Sequence, residues 1–285
     1  MSWVIYFFGS GLAFFVGVAL VLLGVAATWW RPRLSPLLTV FGLILITLSA
    51  EPLPYWFYAA AALATVAWLV AERWHRQLAR RSLALARAGM AALWLIAAGV
   101  EMPYQFAPRL DFAGRPALWI VGDSVTAGLG DQKTRTWPGI LADEHGIDVH
   151  DLSQMGGTVA SALRRLDKEP LGDGIVLLEI GGNDLLGPTR AGDFEDRLDA
   201  LLVQVCRGGR TVLMFELPLP PFCNNFGLIQ RRLAAKHGVR LIPRRILVGV
   251  LTGSDATVDS IHLTQSGHQA MAEAVWSLIG GAYGR

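Results

Sequence analysis

The hydrophobic positions of the chain follow one pattern before residue 105 and another after residue 117. In the first part, long apolar runs alternate with short polar loops. A run of about 20 apolar residues can cross the roughly 30 Å hydrocarbon core of a bilayer as a helix. We therefore predict an all-α transmembrane region of about four helices in residues 1–105. Its spans are residues 3–27, 34–50, 53–71 and 88–100, the last extended back through 82–86.

The arginines of this region predict its orientation. The first loop contains Arg31 and Arg33, whereas the second contains only Glu51. The cations of the third loop are Arg73, Arg76, Arg80 and Arg81. Arg87 follows within the fourth run, and we expect it to snorkel to the interface. Because positively charged short loops stay in the cytoplasm, we predict a multi-pass protein of the cytoplasmic (inner) membrane with its C-terminal domain on the periplasmic, extracytoplasmic side.

Two other interpretations of the first region remain open, a cleavable signal peptide and buried core helices of a soluble protein. Four adjacent runs with the same length and flanks argue against buried core helices. A cleavable signal peptide would begin with a basic segment, and residues 1–10 contain no basic residue. The basic loop at residues 73–87 could bind a specific partner, although a loop that faces anionic lipid explains it as well. We retain the membrane interpretation.

Strands and helices alternate in the second part of the chain. Short apolar runs predict strands at residues 117–121, 147–152, 174–180, 211–215 and 239–242, and helices are predicted between them and after the last. This order is typical of a parallel sheet covered on both faces. Residues 117–285 are thus predicted to form an α/β domain, joined to the membrane region by a linker at 106–116. Ligands of such sheets bind at the carboxyl ends of the strands.

Composition excludes two classes of protein. Hydrophobic residues make up 53% of the 285 residues and charged ones 17%, so the chain is too apolar for a disordered protein. The net charge of +2 is too small to indicate nucleic-acid binding. Residues 1–110 contain eight arginines and three glutamates, so the positive charge is concentrated in the predicted membrane region.

Four short motifs place reactive side chains near the predicted strand ends. Each motif alone also fits ordinary turn or helix-cap chemistry. In order along the chain they supply a hydroxyl, two potential oxyanion donors, and a carboxylate separated from an imidazole by two residues. The motifs are Gly122-Asp123-Ser124, Gly156-Gly157, Gly182-Asn183-Asp184 and Asp259-Ser260-Ile261-His262.

These four ordered blocks resemble those of the SGNH (GDSL-type) hydrolases, over about 60% of the chain and none of the membrane part. The resemblance implies a flavodoxin-like three-layer α/β/α fold. It implies that Ser124 is the nucleophile, that His262 is its base and that Asp259 orients His262. The implied oxyanion hole consists of the Ser124 and Gly156 backbone N–H groups and the Asn183 side chain. Gly156 and Gly157 are adjacent, and either could supply this N–H group. The register favours Gly156, and Gly157 is the alternative.

The resemblance implies a serine esterase or lipase. Together with the predicted spans, it leads us to expect a membrane-anchored enzyme that acts on carboxylic esters of lipids, lysophospholipids or acylated glycans. Its expected partners are the ester substrate and the bilayer, with no nucleic acid. An SGNH-type O-acyltransferase of cell-surface glycans is the alternative, and a scaffold with a vestigial triad is a third hypothesis. No cofactor or metal is expected, because the sequence lacks zinc-like Cys/His spacing. Cys206 and Cys223 are expected to be free thiols, with a disulfide as the alternative.

Overall fold

The computed structural model describes residues 2–74, 77, 79–110, 114–130 and 134–284. Arg76, residues 111–113 of the predicted linker and residues 131–133 lie outside the described residues. The chain forms two compact units. An α/β unit contains Met1–Ser10, Phe106–Pro218 and Asn225–Arg285, and a helical unit contains Gly11–Gln105 and Leu219–Asn224.

The N-terminal helices support two or three of the four predicted spans. They are α1 (Ser2–Gly9), α2 (Leu12–Ala27), α3 (Ser35–Leu48), α4 (Tyr55–Arg73) and α5 (Arg80–Glu101). Among the described residues, α4 and the helical segment from α5 to Gln105 are long and apolar enough to cross a membrane, and α1 with α2 would add a third span if this bent pair counts as one.

Two of the predicted spans differ from the prediction for identifiable reasons. The first is interrupted after α1, where Gly11 has a φ of +89° in the left-handed region. The second contains only the 14 residues of α3, about 21 Å at 1.5 Å per residue. That helix ends before Ala50, which has a positive φ, and Pro52. Helix α3 is therefore shorter than the hydrocarbon core is thick.

The helical unit neutralises Arg87 internally. The Arg87 Nε and Nη2 atoms lie 2.6 and 2.9 Å from the two carboxylate oxygens of Glu72. The guanidinium carbon also lies 5.1 Å from the ring centroid of Trp29, a cation–π distance. Arg87 is thus held by a carboxylate and an aromatic ring.

The α/β unit contains the predicted parallel sheet. Its strands are β1 (Leu118–Gly122), β2 (Val149–Asp151), β3 (Ile175–Glu179), β4 (Thr211–Phe215) and β5 (Arg240–Ile242). They pair in the order β2-β1-β3-β4-β5, and each neighbouring pair is parallel. Every residue of β3 is buried, as expected for a strand covered on both faces. The predicted fold class is confirmed.

Helices cover this sheet and complete its core. They are α6 (Ser124–Ala127), α7 (Trp137–His145), α8 (Val159–Leu166), α9 (Gly182–Leu186), α10 (Ala191–Val205), α11 (Asn224–His237), α12 (Arg244–Leu251) and α13 (Gln265–Ile279). The core between sheet and helices includes Leu118, Trp137, Leu177 and Met271, all fully buried. Strand order places the carboxyl ends of β2, β1 and β3 side by side, which positions the site described next.

Candidate active site

The first three motif blocks follow three adjacent strands. Ser124 begins α6 directly after β1, Gly156 lies in the turn after β2, and Asn183 lies in the first turn of α9 after β3. Because β1 is the middle strand of the three, the blocks lie at one edge of the sheet. Asp259 and His262 lie in the loop between α12 and α13.

Ser124 occupies the N-terminus of a short helix. The Asp123 side chain caps this helix, and its Oδ1 atom accepts a hydrogen bond from the Val125 N–H at 2.9 Å. The Ser124 side chain is largely buried. Within the part of the chain that the structure describes, the Ser124 backbone N–H has no acceptor. An N–H at a helix start without a partner can donate to an anion.

The two glycines after β2 differ in their hydrogen bonding. The Gly157 N–H donates to the Gln154 carbonyl at 2.9 Å, whereas the Gly156 N–H has no acceptor among the described residues. Gly156 has a φ of +69°. A Cβ atom on Gly157 would lie 2.9 Å from the Gln154 oxygen and 3.2 Å from the Gly122 oxygen. Gly157 thus permits close approach to the end of β1, and Gly156 presents the available donor.

Asn183 joins the second and third blocks. Its Nδ2 atom donates to the Gly157 carbonyl at 2.9 Å and, more weakly, to Asp123 Oδ2 at 3.4 Å. These contacts fix the amide between the ends of β2 and β1. The Asp184 carboxylate accepts from the Val159 N–H at 2.8 Å, which connects α9 with the start of α8.

Asp259 and His262 form a hydrogen-bonded pair. His262 Nδ1 lies 2.7 Å from Asp259 Oδ2, and Asp259 Oδ1 accepts from the backbone N–H groups of His262 at 2.9 Å and Ile261 at 3.2 Å. The hydrogen bonds from the backbone N–H and the side chain of His262, together with the bond from the Ile261 N–H, lower the pKa of Asp259 to about 2. Ser260 between them has a φ of +79°, so the loop is strained where it presents the imidazole.

The structure gives an electrostatic connection between the two halves of the site. Burial raises the pKa of Asp123. Hydrogen bonds with the Val125 N–H and Glu179, and the charge of His262, lower this pKa in part. His262 thus contributes to the electrostatic environment of Asp123, the residue before Ser124. Among the described residues no hydrogen bond joins Ser124 to His262. Such bonds are often long in the absence of substrate.

Sequence reasoning missed one ionisable residue of this region. Glu179 ends β3 and is buried, and its Oε2 atom accepts from Thr126 Oγ1 at 2.9 Å and from the Asp123 N–H at 3.4 Å. Burial, reinforced by the charge of Asp123, raises the pKa of Glu179 well above 4.5. The residue lies in the stretch 174–180, whose apolar residues predict a strand. A glutamate within that run was the available signal.

The residues that the structure describes contain no group of three His, Cys, Asp or Glu side chains arranged to hold a metal ion. Cys206 and Cys223 are free thiols in the structure.

Comparison with known proteins identifies the family and several relatives of the α/β part of the chain. Residues 120–270 match the GDSL-like Lipase/Acylhydrolase family. The chain is 29% identical to Esterase TesA of Pseudomonas aeruginosa over 184 residues, covering 59% of this chain and 89% of that protein. It is 30% identical to the "Thioesterase 1/protease 1/lysophospholipase L1" of Escherichia coli K12 over 157 residues, which cover 50% of this chain and 74% of that protein.

A solved structure shows the same fold. The crystal structure of the psychrotrophic esterase EstA from Pseudoalteromonas sp. superimposes with a TM-score of 0.54 and 22% identity, covering 60% of this chain and all of that one. This likeness concerns the α/β fold alone.

Proposed function

The chain belongs to the GDSL-like lipase/acylhydrolase family and is a carboxylic ester hydrolase, and on that basis we propose that it is a membrane-anchored serine esterase with Ser124, His262 and Asp259 as its catalytic triad. The observation that carries the proposal is the 2.7 Å contact between His262 Nδ1 and Asp259 Oδ2. With Nδ1 bound to a carboxylate, the imidazole is held in the tautomer whose Nε2 can accept a proton.

The reaction proceeds in two steps. Ser124 Oγ attacks the ester carbonyl while His262 Nε2 takes the hydroxyl proton, and Asp259 stabilises the resulting imidazolium. The tetrahedral intermediate collapses as His262 returns the proton to the departing alcohol, which leaves an acyl-enzyme on Ser124. His262 then takes a proton from water, and the hydroxide equivalent attacks the acyl carbonyl. The acid leaves and Ser124 regains its proton.

The oxyanion hole is assigned to the Ser124 and Gly156 N–H groups and to Asn183 Nδ2. The first two N–H groups have no acceptor among the described residues, whereas Gly157 already donates to Gln154. This difference supports Gly156 over its neighbour. Donors fixed in advance at the position of a developing charge need no reorganisation during the reaction. The hydrogen bond from Asn183 Nδ2 to Gly157 supports such a fixed position.

The membrane anchor is assigned to the N-terminal helices. Two of them, α4 and the segment from α5 to Gln105, are apolar and long enough to span, and α1 with α2 would add a third span if this bent pair counts as one. The arginine-rich loops support an extracytoplasmic catalytic unit. A bilayer-bound esterase meets the acyl esters of lipids, lysophospholipids and cell-surface glycans. One relative is named a lysophospholipase, which supports the lipid class of substrate.

An active-serine probe tests the triad. The full-length protein in detergent is treated with a fluorophosphonate, and hydrolysis of an acetate ester is measured in parallel. Wild type should be labelled at Ser124, and both labelling and turnover should fall by at least about 10³-fold in Ser124→Ala and His262→Ala. The control is Ser277→Ala, an exposed serine on α13. Labelling that persists in folded Ser124→Ala would refute the assignment.

Product analysis decides between hydrolysis and acyl transfer. Incubation of the enzyme with an acyl ester and an excess of a sugar acceptor should release free acid if water is the acceptor. An acylated sugar as the main product would identify the O-acyltransferase alternative, with the same acyl-enzyme on Ser124.

A further inference from the structure

The helical unit encloses a cavity that the esterase reaction does not use. It has a volume of about 510 Å³ and is lined by residues of α3, α4 and α5 and of the segment Leu219–Asn224. Most of its lining is apolar. Several lining residues on one side are exposed, among them Ala62 and Val66, so the cavity opens laterally from the helices.

The polar groups of the cavity are concentrated at the N-terminal end of α4. Asn224 Nδ2 donates to the Tyr58 Oη atom at 3.1 Å and to the Glu51 carbonyl, and Tyr58 Oη donates to the same carbonyl at 3.0 Å. Tyr55 lies beside them, with its Oη atom 3.5 Å from the Phe222 carbonyl. Further along α4 the lining consists of Ala61, Ala62, Thr65 and Val66, and the Thr65 hydroxyl is bound to the Ala61 carbonyl.

The length of the cavity matches one leaflet. From Tyr55 to Val66, α4 rises about 16 Å at 1.5 Å per residue. Half of the roughly 30 Å hydrocarbon core is about 15 Å. The cavity thus has a polar end and an apolar body as long as one leaflet is thick, which is the arrangement of a lipid with its ester group at the interface and its acyl chain below.

A buried tryptophan forms part of the cavity wall. Trp94 lines the cavity and is 1% exposed, and within the described chain its Nε1–H has no acceptor. Its ring packs against Phe57, two residues after the start of α4, with 5.7 Å between centroids. A buried N–H without an acceptor is unfavourable, so the wall of the cavity carries an energetic cost at Trp94.

The segment at the polar end is strained and exposed. Phe222 has a φ of +70° and is 71% exposed, an uncommon combination for a bulky residue. Strained residues are frequent at ligand clamps. The segment follows the carboxyl end of β4 in the chain and returns to α11.

We propose that the cavity between α3, α4 and α5 binds the acyl chain of a membrane ester lipid, with the ester carbonyl near Tyr58 and Trp94 and the chain along Ala62 and Val66. This inference rests on the proposed membrane anchoring, and it adds a lipid-binding site outside the α/β unit.

Photolabelling in a bilayer tests the site. The full chain is placed in nanodiscs of phosphatidylcholine that carries a diazirine at the middle of one acyl chain, then irradiated and mapped by mass spectrometry. Adducts should form on Ala62 and Val66 at least about tenfold more often than on Leu63. Leu63 is the matched control, because it is on the same helix, is 72% exposed and does not line the cavity. Equal labelling of Leu63 and Val66 would mean ordinary annular lipid and would overturn the proposal.

A filling variant provides the second measurement. Ala62→Trp should reduce the Val66 adduct about tenfold, whereas Leu63→Trp should leave it unchanged. Thermal unfolding of each variant in the same nanodiscs checks that it is folded. An unchanged Val66 adduct in folded Ala62→Trp would also contradict the proposal.

Hydrolysis of a short acetate ester, measured on the same wild-type nanodiscs, separates this inference from the proposed function. Turnover with equal labelling of Leu63 and Val66 rejects the lipid site and leaves the esterase standing. Selective labelling without turnover supports the lipid site and rejects the esterase.

Discussion

The Thr126 hydroxyl donates a hydrogen bond to the Glu179 carboxyl group, with 2.9 Å between the oxygen atoms, beneath the turn that carries Ser124. The same Glu179 oxygen receives the Asp123 N–H at 3.4 Å. The buried Glu179 side chain at the end of β3 thus contacts Asp123, which precedes the proposed nucleophile, and Thr126, which lies two residues after it. We infer that Glu179 positions Ser124 from behind the sheet edge.

The raised pKa of Glu179 predicts a pH-dependent stability. Because burial favours its protonated form in the folded state, its contribution to the free energy of unfolding is complete below pH about 4.5 and is lost as pH rises through the folded-state pKa. Glu179→Gln has no proton to lose and retains an acceptor for Thr126. Urea unfolding from pH 4 to 9 should therefore show a smaller decline with pH in Glu179→Gln than in wild type. The exposed Glu169→Gln serves as the control, and parallel curves for all three would contradict the prediction.

Asp259→Asn should lower kcat by about 10²–10⁴-fold with little change in KM, because an amide cannot stabilise the imidazolium of His262. The pKa of Asp259 is about 2, so its carboxylate stays ionised throughout the range in which esterase assays are made. The acid limb of the wild-type kcat/KM profile should consequently show no inflection from Asp259 above pH 3. Asp255→Asn, which changes another exposed aspartate of the same loop, should have nearly wild-type rates. A kcat of Asp259→Asn within threefold of wild type would remove Asp259 from the triad.

Asn183→Ala should lower kcat by about 10²–10³-fold, the usual effect of removing one oxyanion donor. The structure also gives Asn183 a bond to the Gly157 carbonyl, so part of the loss could come from a shifted turn. Binding of a phosphonate transition-state analogue distinguishes the two causes. If Asn183 stabilises the oxyanion, the analogue should lose affinity in proportion to kcat while KM for the ester stays nearly constant. Equal changes in KM and kcat/KM would instead indicate a structural role.

The sheet and the placement of the motif blocks were predictable for a topological reason. Apolar runs of strand length alternate with helices, so β1, β2 and β3 could be located within two residues and the blocks that follow them assigned to one edge. The orientation of individual side chains at that edge was not predictable. Whether Gly156 or Gly157 offers a free N–H depends on the turn, and only the Gln154 acceptor distinguishes them.

The membrane region was less predictable, because apolarity determines partition into a bilayer and not the path of the backbone. Residues 3–27 are apolar throughout, yet the helix breaks at Gly11 through one left-handed φ angle. In the same way, Leu219–Asn224 belongs to the helical unit, although its sequence is that of an ordinary loop after β4. Contacts between segments that are far apart in the chain leave no periodic pattern in the local sequence, so this grouping could not be predicted.

The strained backbone of the Asp259–His262 loop predicts a difference between two substitutions of Ser260. At a φ of +79°, glycine is free of the steric cost that other residues bear, whereas a β-branched residue is strongly disfavoured. Ser260→Gly should keep kcat within about threefold, and Ser260→Val should lower it about tenfold or more by displacing His262, at a strain of about 1–3 kcal/mol. Ester turnover and thermal unfolding of both variants provide the check. Equal activities would show that the loop adopts another conformation during turnover.

Close packing of α2 against α3 predicts that the helical unit tolerates no side chain at Gly42. A Cβ atom there would lie 2.6 Å from the Gly17 carbonyl oxygen, and one on Gly17 would lie 2.7 Å from the Gly42 oxygen. Small residues allow such approach between membrane helices, where dispersion contacts replace the hydrophobic effect. Gly42→Ala should therefore destabilise the unit by about 1–3 kcal/mol, since the backbone must move apart.

Gly99 provides the matched control for Gly42, because nothing lies within 4 Å of the position that its Cβ would occupy. Gly99→Ala should be neutral or stabilising, as alanine is the better helix former by about 1 kcal/mol. Thermal unfolding of the full chain in detergent measures both variants, and equal shifts would contradict the packing argument. A selective loss in Gly42→Ala would explain why a helix of only 14 residues keeps its place: α3 is held by contact with α2, and spanning length is not what stabilises it.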